Sequence, residues 1–264
     1  MGWNLEVLEK RLAGKFIGWP LYYYPETGST NDEVFRLGGC GSPEGTAVIA
    51  DSQTKGKGRL QRLWHSPPGS NIYTSILLRP TFAPDQAPRI SIAAGVAVAE
   101  ILSEYCQGLV QLKWPNDVLL NKKKACGILA QMKTSADGID FVVLGIGINA
   151  NIGYHQLPPD IRTIATSLTI ETGREIDRLE LIISLYENIA KWYKELTQRG
   201  FDAIKEKWLN LAPMISQNVQ VMFRDEVVSG KALGLDDDGS LIILTVNNET
   251  VKVSAGDATI LKES

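Results

Sequence analysis

The chain of 264 residues carries 27 Lys+Arg against 30 Asp+Glu, a formal net charge of -3, with 44% hydrophobic and 22% charged residues. These proportions belong to an ordinary globular protein of one large domain, or one with a small satellite, and exclude disorder, a collagen-like fibre and a coiled coil. The slightly acidic balance also removes the bulk electrostatic argument for a dedicated nucleic-acid binder, so any phosphate chemistry must come from a local patch.

From the N-terminus, no signal-peptide apolar region is present, and the β-prone stretch from Phe16 to Tyr24 predicts a strand entering a loop at Pro25. Thr30 and Glu33 have capping-box spacing and Gly38-Gly39 supplies a stop, which predicts a short helix over 30–38 with Ser29, Thr30 and Asn31 at its N-terminus. A strand over 46–51 leads through Gln53 into a basic, glycine-rich segment without period, and 71–79 reads as another strand. Residues 87–105 carry apolar residues at helical spacing. Their apolar run over 90–102 is broken by Ser91 and Glu100 and falls short of the ~20 residues of a membrane span.

Strands follow over 110–114, 118–120, 125–132 and 141–148, with a turn at Pro115-Asn116-Asp117. Asp177 and Glu180 open a long helix closed by Gly200, and 202–211 is a shorter one stopped at Pro213. Beyond it, alternation at Val219, Val221 and Phe223 and turns at Asp236–Gly239 and Asn247-Asn248 predict a small all-β unit in the last fifty or so residues. Cys40, Cys106 and Cys126 show no CxxC spacing, so neither a disulfide framework nor a zinc knuckle is indicated and a reducing cytoplasm is the natural setting.

The stretch from Lys55 to Trp64 is the most informative. Lys55, Lys57, Arg59 and Arg62 alternate with Gly56 and Gly58, a composition that can gather cations and exposed amides around a polyphosphate or acyl phosphate. The same composition also suits a solvated surface loop; Trp64, able to stack on a base or cover an apolar ligand, tips the reading toward a site. It is not a Walker loop, because no Gly-Lys-Ser/Thr follows at the required spacing. Gly145-Ile-Gly147-Ile-Asn149-Ala150 satisfies a relaxed Rossmann pattern, yet Pro158-Pro159 blocks the helix that motif must open. A tight strand end and a ligand contact both remain open there, with Asn149 able to read a base edge.

Lys113-Trp114-Pro115-Asn116-Asp117 is good turn chemistry and also gathers a cation, an amide and a carboxylate. Lys122, Lys123 and Lys124 read as a charge run, except that the apolar strand directly after Lys124 draws its side chain toward the core. His65 and His155 have no metal-ligand spacing, no nucleophile-elbow serine is present, and no metal ligands are assigned.

Taken together, Ser29-Thr30-Asn31, the loop Gly56–Trp64, Lys113–Asp117, Lys124-Ala-Cys-Gly-Ile-Leu129 and Gly145–Asn149 resemble, in family order, the biotin protein ligases. Five short motifs in register are a specific signal although each alone is weak. The resemblance implies a mixed α/β (α+β) catalytic domain related to class II aminoacyl-tRNA synthetases over residues 1–213, and an SH3-like β-barrel over 214–264. It implies an enzyme that joins biotin and MgATP into biotinoyl-5′-AMP and passes the biotin to a lysine of a biotin carboxyl carrier protein or domain.

Carried over by position, Ser29, Thr30, Asn31 and Gln53 meet the biotin head group. Gly56, Lys57, Gly58, Arg59, Lys124, Gly145 and Gly147 complete its pocket. Lys57, Arg59, Arg62, Trp64, Lys113, Asn116 and Asn149 address ATP, and Arg59 and Lys124 serve the chemistry. Asp117 is a candidate to orient magnesium or the incoming lysine. The loop departs from the family pattern at Lys57 and Gln61, and Leu261 stands where the family has an arginine. About fifteen residues precede the first predicted strand, which predicts a ligase without the helix-turn-helix of the repressor members and without operator binding. A homodimer through a sheet edge is a further family-level expectation. A lipoate ligase, which shares the acyl-adenylate logic, is disfavoured by the missing Arg-Arg-x-x-Gly-Gly-Gly motif, and a noncatalytic sensor by the presence of both Arg59 and Lys124.

Overall fold

The computed structural model describes residues 3–223 and 226–261. Strands β1 (Leu21–Thr27), β2 (Ala47–Gln53), β3 (Ile72–Leu78), β4 (Val110–Lys113), β5 (Asp117–Leu120), β6 (Lys123–Ser135) and β7 (Gly138–Ile148) form one mixed sheet in the order β1-β2-β3-β7-β6-β5-β4. Only β1 and β2 pair in parallel; the other neighbours are antiparallel.

Alternation along these strands separates two faces. Ile72, Ile76 and Leu78 of β3, Val142, Leu144, Ile146 and Ile148 of β7, and Cys126 and Ile128 of β6 join the main core. That core also holds residues of α1 (Leu5–Leu12), α3 (Pro88–Tyr105), α5 (Arg178–Gln198) and α6 (Asp202–Leu211). The opposite face is covered by one helix, α2 (Thr30–Gly39), whose Val34 and Leu37 pack on Val48, Leu77, Phe141 and Val143. Further along that second face the strands carry Ser75, Gly127, Gln131, Gly145 and Gly147 in place of large apolar residues, and the candidate site forms there.

Several local expectations need correction. The first strand begins at Leu21 and runs through Pro25 to Thr27, because β1 is an edge strand where a missing N–H removes no ladder bond. Thr30 and Glu33 do not form a capping box: Ser29 is the N-cap, the Thr30 hydroxyl turns to Gln53 and Ser75, and Glu33 accepts from Thr27 Oγ1 (3.2 Å). The helix ends at Gly39, one residue past the expected end, but Gly38 lies inside it and has another role. A Cβ on Gly38 would lie 2.8 Å from Leu77 and 3.0 Å from Phe141, so this glycine serves close helix–sheet approach. Two helices carried too little period to be read: α1, held to α5 through Arg11 and Glu180, and the five-residue α4 (Leu168–Thr172), capped by Ser167 and closed by Gly173 at φ +71°.

The C-terminal strands β8 (Asn218–Phe223), β9 (Glu226–Leu235), β10 (Leu241–Thr245), β11 (Thr250–Val253) and β12 (Asp257–Ile260) form an antiparallel sheet in the order β11-β10-β9-β8-β12. The expected turns are present, with the Gly239 N–H bonded to Asp236 O (3.0 Å) and the Asn248 N–H to Thr245 O (3.0 Å). Val219, Val221, Ala232, Leu241 and Ile243 join the same buried cluster as the helices, so the two sheets share a core. Trp114 donates from Nε1 to Gly239 O (3.1 Å) across that junction. None of the described helices is long and apolar enough to cross a membrane.

One carboxylate ties three helices. Glu100 on α3 accepts from Lys191 Nζ (2.9 Å) and Trp192 Nε1 (2.8 Å) on α5 and from Lys207 on α6. Burial alone would raise its pKa, but the three donors outweigh burial and hold it below the ordinary glutamate value. A depressed carboxylate pKa contributes stability that is full above the unfolded-state value and is lost as pH falls through the folded one. Glu100→Gln should therefore lower stability by ~1 kcal/mol at neutral pH, with the gap to wild type closing below about pH 4, as followed by urea unfolding across pH.

Candidate active site

The floor of the site is backbone. Gly147 pairs with Gly127 across β7 and β6, and Gly145 pairs with Ser75 on one side and Leu129 on the other. The Trp64 indole lies over the first pair: a Cβ on Gly127 would come within 2.8 Å of its ring and one on Gly147 within 2.5 Å of Nε1. A Cβ on Gly145 would fall on the Asn31 Oδ1. The two Rossmann-like glycines thus lie inside a strand, and their function is to let a helix terminus and an indole approach the sheet.

Over this floor runs a buried polar chain. Gln53 Oε1 accepts from the Thr30 N–H (2.9 Å) and lies 3.2 Å from Thr30 Oγ1, while Gln53 Nε2 donates to Ser66 Oγ (2.9 Å). Ser75 Oγ is 2.7 Å from Thr30 Oγ1 and 2.6 Å from Asn31 Oδ1, and Asn31 Nδ2 donates to Gln131 Oε1 (2.8 Å). Ser29, Thr30, Asn31 and Ser75 are all buried. Helix α2 delivers the first three because its N-terminus is aimed at the sheet, where free amides and short polar side chains converge.

The cationic loop is ordered by its own backbone. Gly56 O accepts from the Trp64 N–H (2.9 Å) and Arg62 O from the Gly58 N–H (2.8 Å), closing a small hairpin where no periodicity was readable. A Cβ on Gly56 would sit 2.6 Å from Trp64 O, so the closure requires glycine. At the tip Leu60 (φ +52°) and Gln61 (φ +58°) are left-handed, and Gln61 therefore bears the strain that the family's glycine avoids.

Lys57, Arg59 and Arg62 of this hairpin, and Lys124 beside it, each have a carboxylate neighbour. Lys57 pairs with Asp32 of α2. Arg62 Nη1 lies 2.8 Å from Asp257, and Arg59 Nη1 lies 3.6 Å from the same residue. Arg59 also donates to Gly256 O (3.0 Å) and Asn116 Oδ1 (3.3 Å). Burial lowers the Arg59 pKa, opposed by Asp257 and Asp117, and a guanidinium retains its charge under such a shift. Lys124 Nζ stands 2.7 Å from Asp117 and 5.4 Å from the Trp64 ring centroid. Its side chain is turned to the site rather than the core, as the strand begins at Lys123 and a register shift opposite Val118/Leu119 intervenes.

Asn116 holds the turn in place, donating from Nδ2 to Ile128 O (2.6 Å). Lys113 stands opposite Asp117 in the β4–β5 pairing. Asn149 is buried and its amide donates to Thr166 O (2.9 Å), so here it clamps the following loop rather than standing open. Leu261 offers no cation; the C-terminal sheet reaches the loop instead through Gly256 and Asp257. Sequence reasoning missed Ser66, Ser75, Gln131 and Asp257. The polar Ser75 and Gln131 in otherwise apolar runs on the α2 side of their strands were the available signal. A cavity of about 300 Å³ opens beside Arg59, lined by Trp114, Pro115, Asn116, Leu129 and Ser254 among others.

Residues 27–149 match the biotin/lipoate A/B protein ligase family and 215–260 the biotin protein ligase C-terminal domain. The bifunctional ligase/repressor BirA of Bacillus subtilis is 37% identical over 91% of this chain, which spans 74% of that protein. The biotin–[acetyl-CoA-carboxylase] ligase of Mycobacterium tuberculosis is 32% identical, with 97% of this chain and 94% of that protein covered. Among solved structures, a biotin protein ligase from Aquifex aeolicus in complex with biotin and ATP superposes with a TM-score of 0.78 at 31% identity, over 92% of this chain and 99% of that one. The fold is that of a ligase, and the chain belongs to the biotin protein ligase family.

Gly145→Ala tests the backbone floor. The added methyl must push Asn31 out of its two hydrogen bonds, so biotin affinity in calorimetric titration should fall at least about tenfold, with a stability loss of ~1–3 kcal/mol.

Proposed function

We propose that this chain joins biotin and MgATP into biotinoyl-5′-AMP and pyrophosphate and then transfers the biotinoyl group to a lysine of the biotin carboxyl carrier domain of a carboxylase. The observation that carries this reading is the juxtaposition of a buried polar chain, suited to a ureido ring, with Lys124, Trp64 and the Arg59 hairpin, suited to an acyl phosphate. In the first step a carboxylate oxygen attacks the α-phosphorus and the bond to pyrophosphate breaks. Both partners are anions, so cations must neutralise them before they can approach.

In this reading Ser29, Thr30, Asn31 and Gln53 serve the head group, and Gly56, Lys57 and Gly58 close over the acyl chain, with Gly145 and Gly147 setting the depth of the pocket beneath Asn31 and Trp64. Lys124 neutralises the carboxylate and α-phosphate, and Arg59 retains the adenylate. Arg62 and Lys113 address the phosphates, Trp64 covers the adenosine, and Asn116 and Asn149 read adenine once they exchange their present bonds to Ile128 O and Thr166 O for the base. In the second step the lysine amine attacks the acyl carbon, the bond to AMP breaks, and the amine's proton leaves; Asp117, beside Lys124, is the carboxylate available to take it.

Residues 1–213 act as the catalytic unit, of the class II aminoacyl-tRNA synthetase type, and 214–264 as an SH3-like unit. A cytoplasmic homodimer completes the proposal. It is supported by the edge of β6, which beyond Ile128 pairs on one side only, with β7.

The direct test is incubation with biotin, MgATP and a purified carrier domain, read by mass spectrometry. One biotinoyl group on a single lysine is expected, and an unmodified carrier under saturating substrates would refute the proposal. Arg59→Ala should still activate biotin but release the adenylate, so that biotin spreads to many lysines of bystander proteins. Lys124→Ala should instead depress adenylate formation about 10²-fold or more in a single-turnover assay.

A further inference from the structure

Asp257 opens β12 and pairs in register with Met222 of β8, so its carboxylate is carried by a sheet strand rather than by a loop. It serves two guanidiniums of the hairpin: Oδ2 lies 2.8 Å from Arg62 Nη1, and Oδ1 lies 3.6 Å from Arg59 Nη1. Among the described residues no other carboxylate pairs with either. The residue before it adds a neutral contact, since Arg59 donates to Gly256 O (3.0 Å). That position requires glycine, with φ +135° and a Cβ that would lie 2.6 Å from Met222 O. The two ion pairs differ in kind. Arg59 is largely buried, whereas Arg62 has 71% of its side chain exposed, and a pair so placed in solvent is weak enough to exchange.

We infer that Asp257 is a positioning residue that latches the hairpin over the adenylate after pyrophosphate has left. ATP brings a polyphosphate that can take Arg62 from Asp257, and the departing pyrophosphate carries most of that negative charge away. The adenylate keeps a single phosphate anion, too little charge to hold Arg59, Arg62 and Lys124 together. Lys124 has Asp117 at 2.7 Å. Arg59 and Arg62 repel each other, and the carboxylate to which both can return is Asp257. Its return ties the tip of the hairpin to the C-terminal sheet, while the bond from the Trp64 N–H to Gly56 O (2.9 Å) closes the base. Asp257 touches neither substrate in this account; it acts through Arg59 and Arg62. The inference rests on the reading that the Arg59 hairpin retains biotinoyl-5′-AMP.

The test measures two quantities on each variant: KM for ATP in biotin-dependent pyrophosphate exchange, and the dissociation rate of labelled biotinoyl-5′-AMP chased with the unlabelled adenylate. Asp257→Asn keeps the shape of the side chain and removes its charge. It should lower KM for ATP about twofold, because ATP no longer displaces a carboxylate, and raise adenylate dissociation about fivefold, because none returns. A general loosening of the fold would not lower KM, so the opposed signs report the latch. Asp257→Glu, which keeps the carboxylate, should restore both values. Adenylate dissociation from Asp257→Asn at the wild-type rate, or a rise in KM for ATP alongside faster dissociation, would overturn the inference. Arg59→Ala separates the two levels of the account. If it holds the adenylate as tightly as wild type, the retention reading fails and the inference with it. If Arg59→Ala releases the adenylate while Asp257→Asn does not, the latch alone is overturned.

Discussion

A close-packed sheet has no room for a ligand unless side chains are withheld from it, and three are withheld here. Gly127, Gly145 and Gly147 lie together on the face of β6 and β7 that α2 covers, and a Cβ at any of them would collide with Trp64 or Asn31. The trough they leave lets the α2 N-terminus and the indole descend to backbone level. With that descent come the buried hydroxyls and amides of Thr30, Asn31 and Ser75, which hydrogen-bond to one another in a site of low polarisability. The rest of the second face is ordinary core, so the site is a local interruption of packing carried by a rigid sheet.

Electrostatics follow from the same arrangement. The chain as a whole is slightly acidic, yet Lys57, Arg59, Arg62 and Lys124 gather along one side of the trough. Such a cluster would repel itself. It is held by Asp32, Asp257 and Asp117, drawn from α2, the C-terminal sheet and the β4–β5 turn. In the proposed reaction the phosphates of ATP exchange with these carboxylates, so that binding trades one set of ion pairs for another instead of ordering free lysines and arginines. The C-terminal sheet takes part in the site through Gly256 and Asp257, although the position where an arginine was expected is Leu261.

How much of this was legible in the sequence depended on the kind of signal. Strands with apolar residues on both faces, such as β3 and β7, and the long helices α3 and α5 announced themselves by period and punctuation. The short α1 and α4 did not, because eight and five residues carry too few turns for a period. Local chemistry misled where tertiary partners competed: Thr30 looked like a cap, but Gln53 and Ser75 claim its hydroxyl, and Gly38 looked like a stop, but Leu77 and Phe141 need its bare Cα. Motif residues within the loop were found, while Ser66, just beyond it, was passed over because an isolated serine in a loop carries no pattern. Ser75, Gln131 and Asp257 were missed, since their relation to Thr30, Asn31 and Arg59 spans 45, 100 and about 200 positions and exists only in the fold.

The central claim is that this trough binds biotin and that the cations beside it drive its adenylation. ATP–pyrophosphate exchange on the purified chain, run in parallel with biotin, with lipoate and with no acid, tests it most directly. Exchange that depends on biotin alone is the predicted result. Exchange supported by lipoate and not by biotin, or by neither, would contradict the account.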